Sequence, residues 1–247
     1  MRGYYAKLGV KLEREDILAT SGGGEALEFI MACILDDGDE LLVPEPFYAN
    51  YNTFTFMSGG VIHPIPTSAD NGYRFADRKL IESQINERTR AILVTNPGNP
   101  TGLVLTHEEM RVIADVVKEH DLFLVADEVY REFIYDDEPM GTFCEMEDIK
   151  DQVIVVDSIS KRFSACGARI GSIISRNREF MAEAMKLCQG RLCTATLDQT
   201  GAAAMYEHVQ PSYFKEVRDE YKKRRDAAVE ELKQTPGPKV HTTDGAF

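Results

Sequence analysis

The 247-residue sequence lacks any apolar run near the roughly 20 residues that a helix needs to cross a bilayer. Its first 16 residues also lack the apolar core of a secretory signal. Only five cysteines occur, an odd number scattered along the chain, so no disulfide framework is expected. No histidine follows Cys188 and Cys193 at metal-site spacing, and we expect no bound metal. These absences predict a cytoplasmic protein with reduced thiols.

Positive charge is scarce relative to negative charge. Lys and Arg number 28 against 41 Asp and Glu, which gives a formal net charge of −13. This excess repels nucleic acid and anionic membrane surfaces, so neither is an expected partner. A small-molecule substrate is not excluded, because one basic pocket can lie on an acidic protein. Composition alone therefore indicates a globular protein and no particular function.

Short runs rich in Ile, Val and Leu recur between longer amphipathic stretches. Seven runs are expected to be strands: 17–20, 40–43, 61–65, 91–95, 122–126, 152–157 and 170–175. Helical patterns lie between or after them at 24–35, 107–120, 179–191 and 200–208. Strands that alternate with helices predict an α/β domain with a mostly parallel sheet.

A long, highly charged stretch follows Pro211 and is expected to be a connector helix over 211–235. Residues 222–225 of that helix are expected on a solvated face. A breaker at 235–238 follows, and the nine residues after it, 239–247, are too few to form a domain. We therefore expect a large domain over 1–210, the connector helix, and over 236–247 the start of a C-terminal small domain in a chain cut at both ends.

Chemically distinctive residues follow the predicted strands, where open α/β sheets bind ligands. The first strand is followed by SGGGEAL at 21–27, in which glycines and a helix N-terminus could bind phosphate or simply form a tight turn. NPGNPTG at 96–102 is a rigid loop that could orient Asn99. Asp127 follows the fifth strand in DEVY, where a carboxylate is often only a helix cap.

A lysine and an arginine complete this set. Ser158 and Lys161 lie in SISK after the sixth strand, and Arg169 lies eight residues further on in GARIG. Most lysines are solvated surface residues, so Lys161 alone would carry little weight. The other candidate residues give it more weight, because all of these side chains are predicted at strand ends and occur in one order along the chain.

In this order, GGGEAL, NPGNPTG, DEVY, SISK and GARIG resemble the fold-type I pyridoxal-phosphate (PLP) enzymes, specifically the aspartate aminotransferase (class I/II) family. NPxNPTG fixes six positions, and the resemblance covers essentially the whole chain. It implies a three-layer α/β/α fold around a seven-stranded, mostly parallel sheet. It also implies a PLP-dependent transfer of an amino group between an L-amino acid, possibly aspartate, and a 2-oxo acid.

The resemblance assigns roles residue by residue. Lys161 matches the Schiff-base lysine, and Asp127 matches the carboxylate that pairs with the pyridine nitrogen. Tyr130 and Asn99 match the groups that hydrogen-bond the phenolic oxygen of the cofactor. Tyr48 aligns with the aromatic residue that stacks on its ring. Lys161, Asp127 and Tyr130 are the expected catalytic residues.

The phosphate pocket is assigned in the same way. Arg169 and Ser158 match phosphate ligands, and the turn at Gly23, Gly24 and Glu25 completes the cofactor-binding set. Arginine suits this position, because its planar fork can bind phosphate through two nitrogens. The family usually has Ser or Thr where Gly24 stands, so one hydroxyl contact is missing.

Other functions remain open at this point. A β-eliminating PLP lyase could use the same fold and cofactor, because the fold does not fix the reaction. A non-catalytic PLP-binding module, such as part of a transcription regulator, is a second alternative. A nucleotide-binding domain fails, since the glycine turn matches no nucleotide fingerprint. The resemblance further implies a homodimer.

Overall fold

A single seven-stranded sheet organises the protein, whose computed structural model describes residues 1–135, 140–237 and 239–246. The strands are β1 (Ile17–Thr20), β2 (Glu40–Pro44), β3 (Val61–Ile65), β4 (Thr89–Thr95), β5 (Phe123–Asp127), β6 (Val153–Ser158) and β7 (Gly171–Ser175). They lie in the order β1-β7-β6-β5-β4-β2-β3. Only β7 runs antiparallel to its neighbours, β1 and β6. The predicted mostly parallel α/β sheet is confirmed, and each strand begins and ends within two residues of its prediction.

Nine α-helices occur in the described residues. They are α1 (Arg2–Lys7), α2 (Gly23–Ile34), α3 (Asn50–Met57), α4 (Arg78–Glu82), α5 (His107–Glu119), α6 (Ile159–Arg162), α7 (Arg178–Arg191), α8 (Thr196–His208) and α9 (Pro211–Lys233). The long helices were predicted. The short α1, α3, α4 and α6 were not, because a helix of four to eight residues shows too few turns for a periodic pattern.

Alternate residues of the central strands face two separate apolar layers. In β4, Ile92 packs on the side that carries α5, whereas Leu93 packs on the side that carries α2 and α7. Both are fully buried, as expected for strands covered on two faces. The predicted three-layer α/β/α arrangement is therefore confirmed.

The C-terminal helix α9 begins with Pro211 at its first turn, where the missing N–H costs nothing. The prediction that 222–225 is a solvated face was wrong at two positions. Lys222 Nζ donates to the Tyr135 carbonyl at 2.8 Å, and Arg225 lies over the Tyr135 ring at 4.7 Å. The loop that carries Tyr135 pairs through Ile134 with Gly245, and Arg225 also donates to the Thr243 carbonyl near that pairing, so α9 packs against both segments.

The roles predicted for 211–235 as a connector and 236–247 as the start of a small domain stay predictions. Pro238 and Phe247 of that last segment lie outside the described residues. Among the helices that the structure describes, none combines the length and apolar character that crossing a bilayer requires.

Candidate active site

A cavity of about 200 Å³ opens at the edge of the sheet where β4, β5 and β6 end. It is lined by Gly23, Gly24, Leu27, Tyr48, Tyr51, Thr95, Asn99, Asp127, Val129, Tyr130, Ser158, Ser160, Lys161, Cys166 and Arg169. All the sequence-predicted site residues except Glu25 are in this set. Parallel strands bring the residues that follow them to one edge, which is why positions far apart in the chain meet here.

Asp127 is buried beneath the cavity at the end of β5. Its Oδ2 accepts a hydrogen bond from the Tyr51 hydroxyl at 2.8 Å, and its Oδ1 accepts one from the Val129 backbone N–H at 3.3 Å. No Lys, Arg or His nitrogen among the described residues lies within 4.0 Å of this carboxylate. Burial therefore raises the pKa of Asp127 to about 6, although the two hydrogen bonds oppose the shift.

Lys161, Tyr130 and Asn99 line the cavity close to one another. Lys161 Nζ is 5.8 Å from the centre of the Tyr130 ring. The Asn99 side-chain amide donates to the Tyr130 hydroxyl at a long 3.5 Å. Burial, with the nearby Asp127 carboxylate, raises the pKa of Tyr130 to about 12. Tyr130 is therefore protonated at neutral pH and able to donate a hydrogen bond.

Arg169 lies beside the N-terminus of α2, and both line the cavity. The first N–H groups of a helix have no carbonyl partner within it, so those of Gly23, Gly24 and Glu25 are available to an anion. The hydrogen bonds of Arg169 to other described residues go only to backbone carbonyls, those of Cys166 at 3.0 Å and Ser21 at 3.3 Å. Within the described ranges no carboxylate pairs with it. A cation and a helix N-terminus together favour a phosphate.

Ser158 and Glu25 are placed differently from each other. The Ser158 hydroxyl lines the cavity, caps α6 by accepting from the Ser160 N–H at 3.1 Å, and lies 3.1 Å from the Ile170 carbonyl. The Glu25 carboxylate does not line the cavity. It accepts from the Ser21 N–H at 2.8 Å and pairs with Arg191 at 3.0 Å. Only the backbone of Glu25 can therefore serve the predicted cofactor site.

Tyr48 lies at the mouth of the cavity and is 37% exposed. Its ring meets Tyr51 edge-on at 5.4 Å, and its hydroxyl accepts from the Asn50 amide at 2.8 Å. An exposed aromatic face above a cavity offers a surface on which a flat ring can stack.

The residues present fit PLP. The buried Asp127 carboxylate, which has no cationic partner among the described residues, suits a protonated ring nitrogen, and Arg169 with the helix N-terminus suits a phosphate. Lys161 supplies an amine in the same cavity. In the part of the chain that the structure describes, no group of three or more His, Cys, Asp or Glu side chains could hold a metal ion.

Comparisons with known proteins agree with this geometry. A family model described as aminotransferase class I and II matches residues 3–247. The chain belongs to the class I and II aminotransferase family. Members of this family use PLP.

Individual relatives cover nearly all of this chain. A probable aspartate/prephenate aminotransferase from Aquifex aeolicus is 32% identical over 96% of it, and an aspartate aminotransferase from Sulfurisphaera tokodaii is also 32% identical over 96%. The crystal structure of an aromatic aminotransferase from Pyrococcus horikoshii superposes with a TM-score of 0.92, at 29% identity, over all of this chain and 66% of that one. The chain spans 61% and 59% of the two relatives' own lengths.

The sequence reasoning missed Tyr51 and Thr95 as site residues. Tyr51 is buried in α3, and its hydroxyl lies 2.7 Å from Thr95 Oγ1 as well as donating to Asp127. Because the single Tyr51 proton goes to Asp127, the Thr95 hydroxyl donates to Tyr51. Thr95 could have been found, since it ends a predicted strand directly before the NPGNPTG loop. Tyr51 carried no signal beyond its place three residues after Tyr48.

In the cofactor-free protein, the ionisation of Asp127 is expected to make the free energy of unfolding depend on pH. Its folded pKa of about 6 exceeds the ordinary 3.8, so the folded state holds this proton more tightly than the unfolded chain. The contribution is therefore fully present only well below pH 3.8 and is lost as pH rises through about 6. The loss amounts to about 3 kcal/mol in the free energy of unfolding.

Urea unfolding of the wild type and Asp127→Asn between pH 4 and pH 7 measures this effect. Asparagine does not titrate, so the other groups cancel in the difference between the two proteins. The wild type should lose about 2 kcal/mol relative to the variant over that range, because part of the full effect already occurs below pH 4. A difference that stays flat with pH would mean that Asp127 has no raised pKa.

Gly22 is expected to be indispensable to the phosphate end of the cavity. It has a positive φ of 88°, and an added Cβ would lie 2.4 Å from Arg169 Nη2. Gly22→Ala should therefore strain the turn by about 1–3 kcal/mol and displace the guanidinium. Urea unfolding should show the stability loss, and titration should show weaker PLP binding.

Gly190→Ala in α7 is the matched control, because a Cβ there meets no atom within 4 Å. That variant should keep or raise stability, since alanine favours a helix by about 1 kcal/mol over glycine. Equal PLP affinity in both variants would show that Arg169 does not bind the phosphate.

Proposed function

We propose that this chain carries the cofactor-binding and catalytic core of a PLP-dependent aminotransferase. The reaction moves an amino group between an L-amino acid and a 2-oxo acid. The observation that carries the proposal is the buried Asp127 carboxylate, which lacks a cationic partner among the described residues and shares one cavity with Lys161 and Arg169. A buried, ionised carboxylate without a cationic partner destabilises the folded protein unless a cationic ligand pairs with it.

When bound, PLP supplies an electron sink that stabilises negative charge at the substrate α-carbon. Asp127 keeps a proton on the ring nitrogen, because its carboxylate favours the cationic ring. Tyr130 and Asn99 donate to the phenolic oxygen. Arg169, Ser158 and the N-terminus of α2, including Gly23 and Gly24, hold the phosphate.

Lys161 has two roles in this proposal. With PLP bound, its Nζ would hold the cofactor through the aldehyde carbon. The same amine, when free, would act as the base that moves a proton at the substrate α-carbon. Tyr48, which lines the cavity, would stack on one face of the cofactor ring.

The substrate class follows from this chemistry, whereas the side-chain preference rests on the relatives. Their names include aspartate, aspartate/prephenate and aromatic-amino-acid aminotransferases. We propose an L-amino acid donor, with aspartate the first to test. We also propose a homodimer in the cytoplasm, the location being supported by five free cysteines.

Single-turnover reactions of the PLP-loaded protein with a panel of amino acids test the reaction type. The panel contains L-aspartate, L-phenylalanine, L-alanine and L-serine, with D-aspartate as the control. The proposal predicts that 2-oxo acid and pyridoxamine phosphate form one for one, without ammonia. Ammonia released together with the 2-oxo acid would instead indicate a β-eliminating lyase. A protein that binds PLP on Lys161 and converts no donor would be a non-catalytic module.

A further inference from the structure

A buried polar cluster lies beside Lys161, outside the cavity, and is used by none of the roles above. It centres on Arg162, the next residue in α6, whose side chain is only 1% exposed. We define the Arg162 cluster by its members Tyr4, Tyr5, Glu132, Asp157, Arg162 and Tyr206. These residues come from α1, the loop after β5, the end of β6, α6 and α8.

Arg162 makes contacts in several directions at once. Its Nη1 donates to Asp157 Oδ2 at 2.7 Å and to the Tyr206 hydroxyl at 2.8 Å. Its Nε lies 3.4 Å from Glu132 Oε1. The guanidinium carbon lies 4.0 Å from the centre of the Tyr4 ring, at the distance of a cation–π contact.

The surrounding groups are themselves tied together. The Tyr5 hydroxyl donates to Asp157 Oδ2 at 3.2 Å, and the Tyr4 hydroxyl donates to Glu132. Burial disfavours the charged guanidinium, yet the Asp157 carboxylate keeps the pKa of Arg162 above its ordinary value. Arg162 is therefore a permanent cation held by groups on four other segments.

Helix α6 cannot hold its own position. It has four residues, Ile159–Arg162, and isolated helices of this length are not stable in water. Its orientation therefore depends on its contacts with the rest of the protein, which include the Ser158 cap and the packing of Ile159 at one end and the contacts of Arg162 at the other. Lys161 lies between them and lines the cavity, whereas Arg162 does not.

We propose that Arg162 is a positioning residue for Lys161, fixing α6 through the Arg162 cluster so that Lys161 Nζ is held for its bond with the cofactor aldehyde. This inference rests on the proposed function. Its consequence is that α1 and α8, which lie outside the cavity, support the reactive amine through Tyr4 and Tyr206.

Covalent capture measured against non-covalent binding tests the inference. Lys161 Nζ condenses with the aldehyde carbon of PLP, a C=N bond forms, and water leaves with the aldehyde oxygen. Borohydride then adds hydride to that bond, and mass spectrometry counts the trapped product. Pyridoxamine phosphate has no aldehyde, so its affinity reports the pocket without the lysine bond.

Arg162→Met in the 247-residue chain should trap PLP on Lys161 more slowly, by roughly 100-fold, as expected for a misplaced reacting group. Its affinity for pyridoxamine phosphate should be unchanged. Arg162→Lys should restore only part of the rate, because lysine keeps the charge but lacks the planar fork. Tyr206→Phe, which removes one hydroxyl, should act in the same direction with a smaller loss.

Arg131→Met is the matched control. Arg131 is buried and ion-paired with Glu128. Among the described residues, its other bonds go to the Met140 and Gly141 carbonyls and none goes to α6. This variant should be destabilised and yet trap PLP at the wild-type rate.

Trapping by Arg162→Met at the wild-type rate overturns the inference. So does a parallel loss of trapping and of pyridoxamine phosphate affinity, which would indicate a merely structural role. If Arg162→Met does not fold, Arg162→Lys and Tyr206→Phe decide by the same two measurements. A wild type that binds pyridoxamine phosphate but never traps PLP on Lys161 overturns the proposed function, and this inference with it.

Discussion

Lys161→Ala is expected to abolish covalent capture of PLP and to lower amino-group transfer by about 10²- to 10⁴-fold, the contribution of a positioned proton-transfer group. The cavity offers no substitute for this amine, because Arg169 is the only other cationic side chain among the described residues that line it. A guanidinium keeps its proton at all accessible pH values and cannot take one from carbon.

The control for this prediction is Lys186→Ala. Lys186 is an exposed residue of α7 that pairs with Glu183, and it lies outside the cavity. Stopped-flow absorbance and single-turnover product analysis should show that this variant transfers the amino group at the wild-type rate. Undiminished transfer in Lys161→Ala, with the fold intact, would show that the reactive amine lies elsewhere.

Asp127→Asn is expected to have opposite effects on stability and on function. Without cofactor at pH 7, the variant should be more stable than the wild type, because it no longer buries an ionised carboxylate without a cation. With cofactor, it should lose roughly 100-fold or more in transfer rate, since the amide cannot keep a proton on the ring nitrogen. A carboxylate that lowers folding stability but is needed for the reaction is typical of a functional site.

Tyr51→Phe separates these two effects of Asp127. It removes one hydrogen bond to the carboxylate but leaves the charge, so the rate should fall much less than in Asp127→Asn. Urea unfolding and single-turnover kinetics on the same preparations measure both quantities. An Asp127→Asn protein that is less stable and fully active would contradict the account.

The strands and most of the site could be predicted from the sequence because the information is local. Short buried runs bounded by Gly, Pro and Asp set the strands, and parallel pairing brings their carboxyl ends to one edge. Asn99, Asp127 and Lys161 all lie at or after the ends of such strands. The parallel arrangement of the strands was therefore enough to predict that they line one cavity.

Arg169 shows where that reasoning was insufficient. It precedes its strand, so a parallel β7 would have placed it at the far edge of the sheet. It reaches the cavity because β7 is antiparallel, a property that depends on long-range pairing with β1 and β6. Contacts between distant segments also determine the ion pair of Glu25 and the burial of Tyr51 and Arg162. No local sequence pattern encodes such contacts.

The central claim is that this chain holds PLP through Lys161. Its most direct measurement is borohydride reduction of the 247-residue protein mixed with PLP, followed by peptide mapping of the attachment site. The account predicts one pyridoxyl group per chain, located on Lys161. Attachment spread over surface lysines, or none at all despite bound PLP, would contradict it.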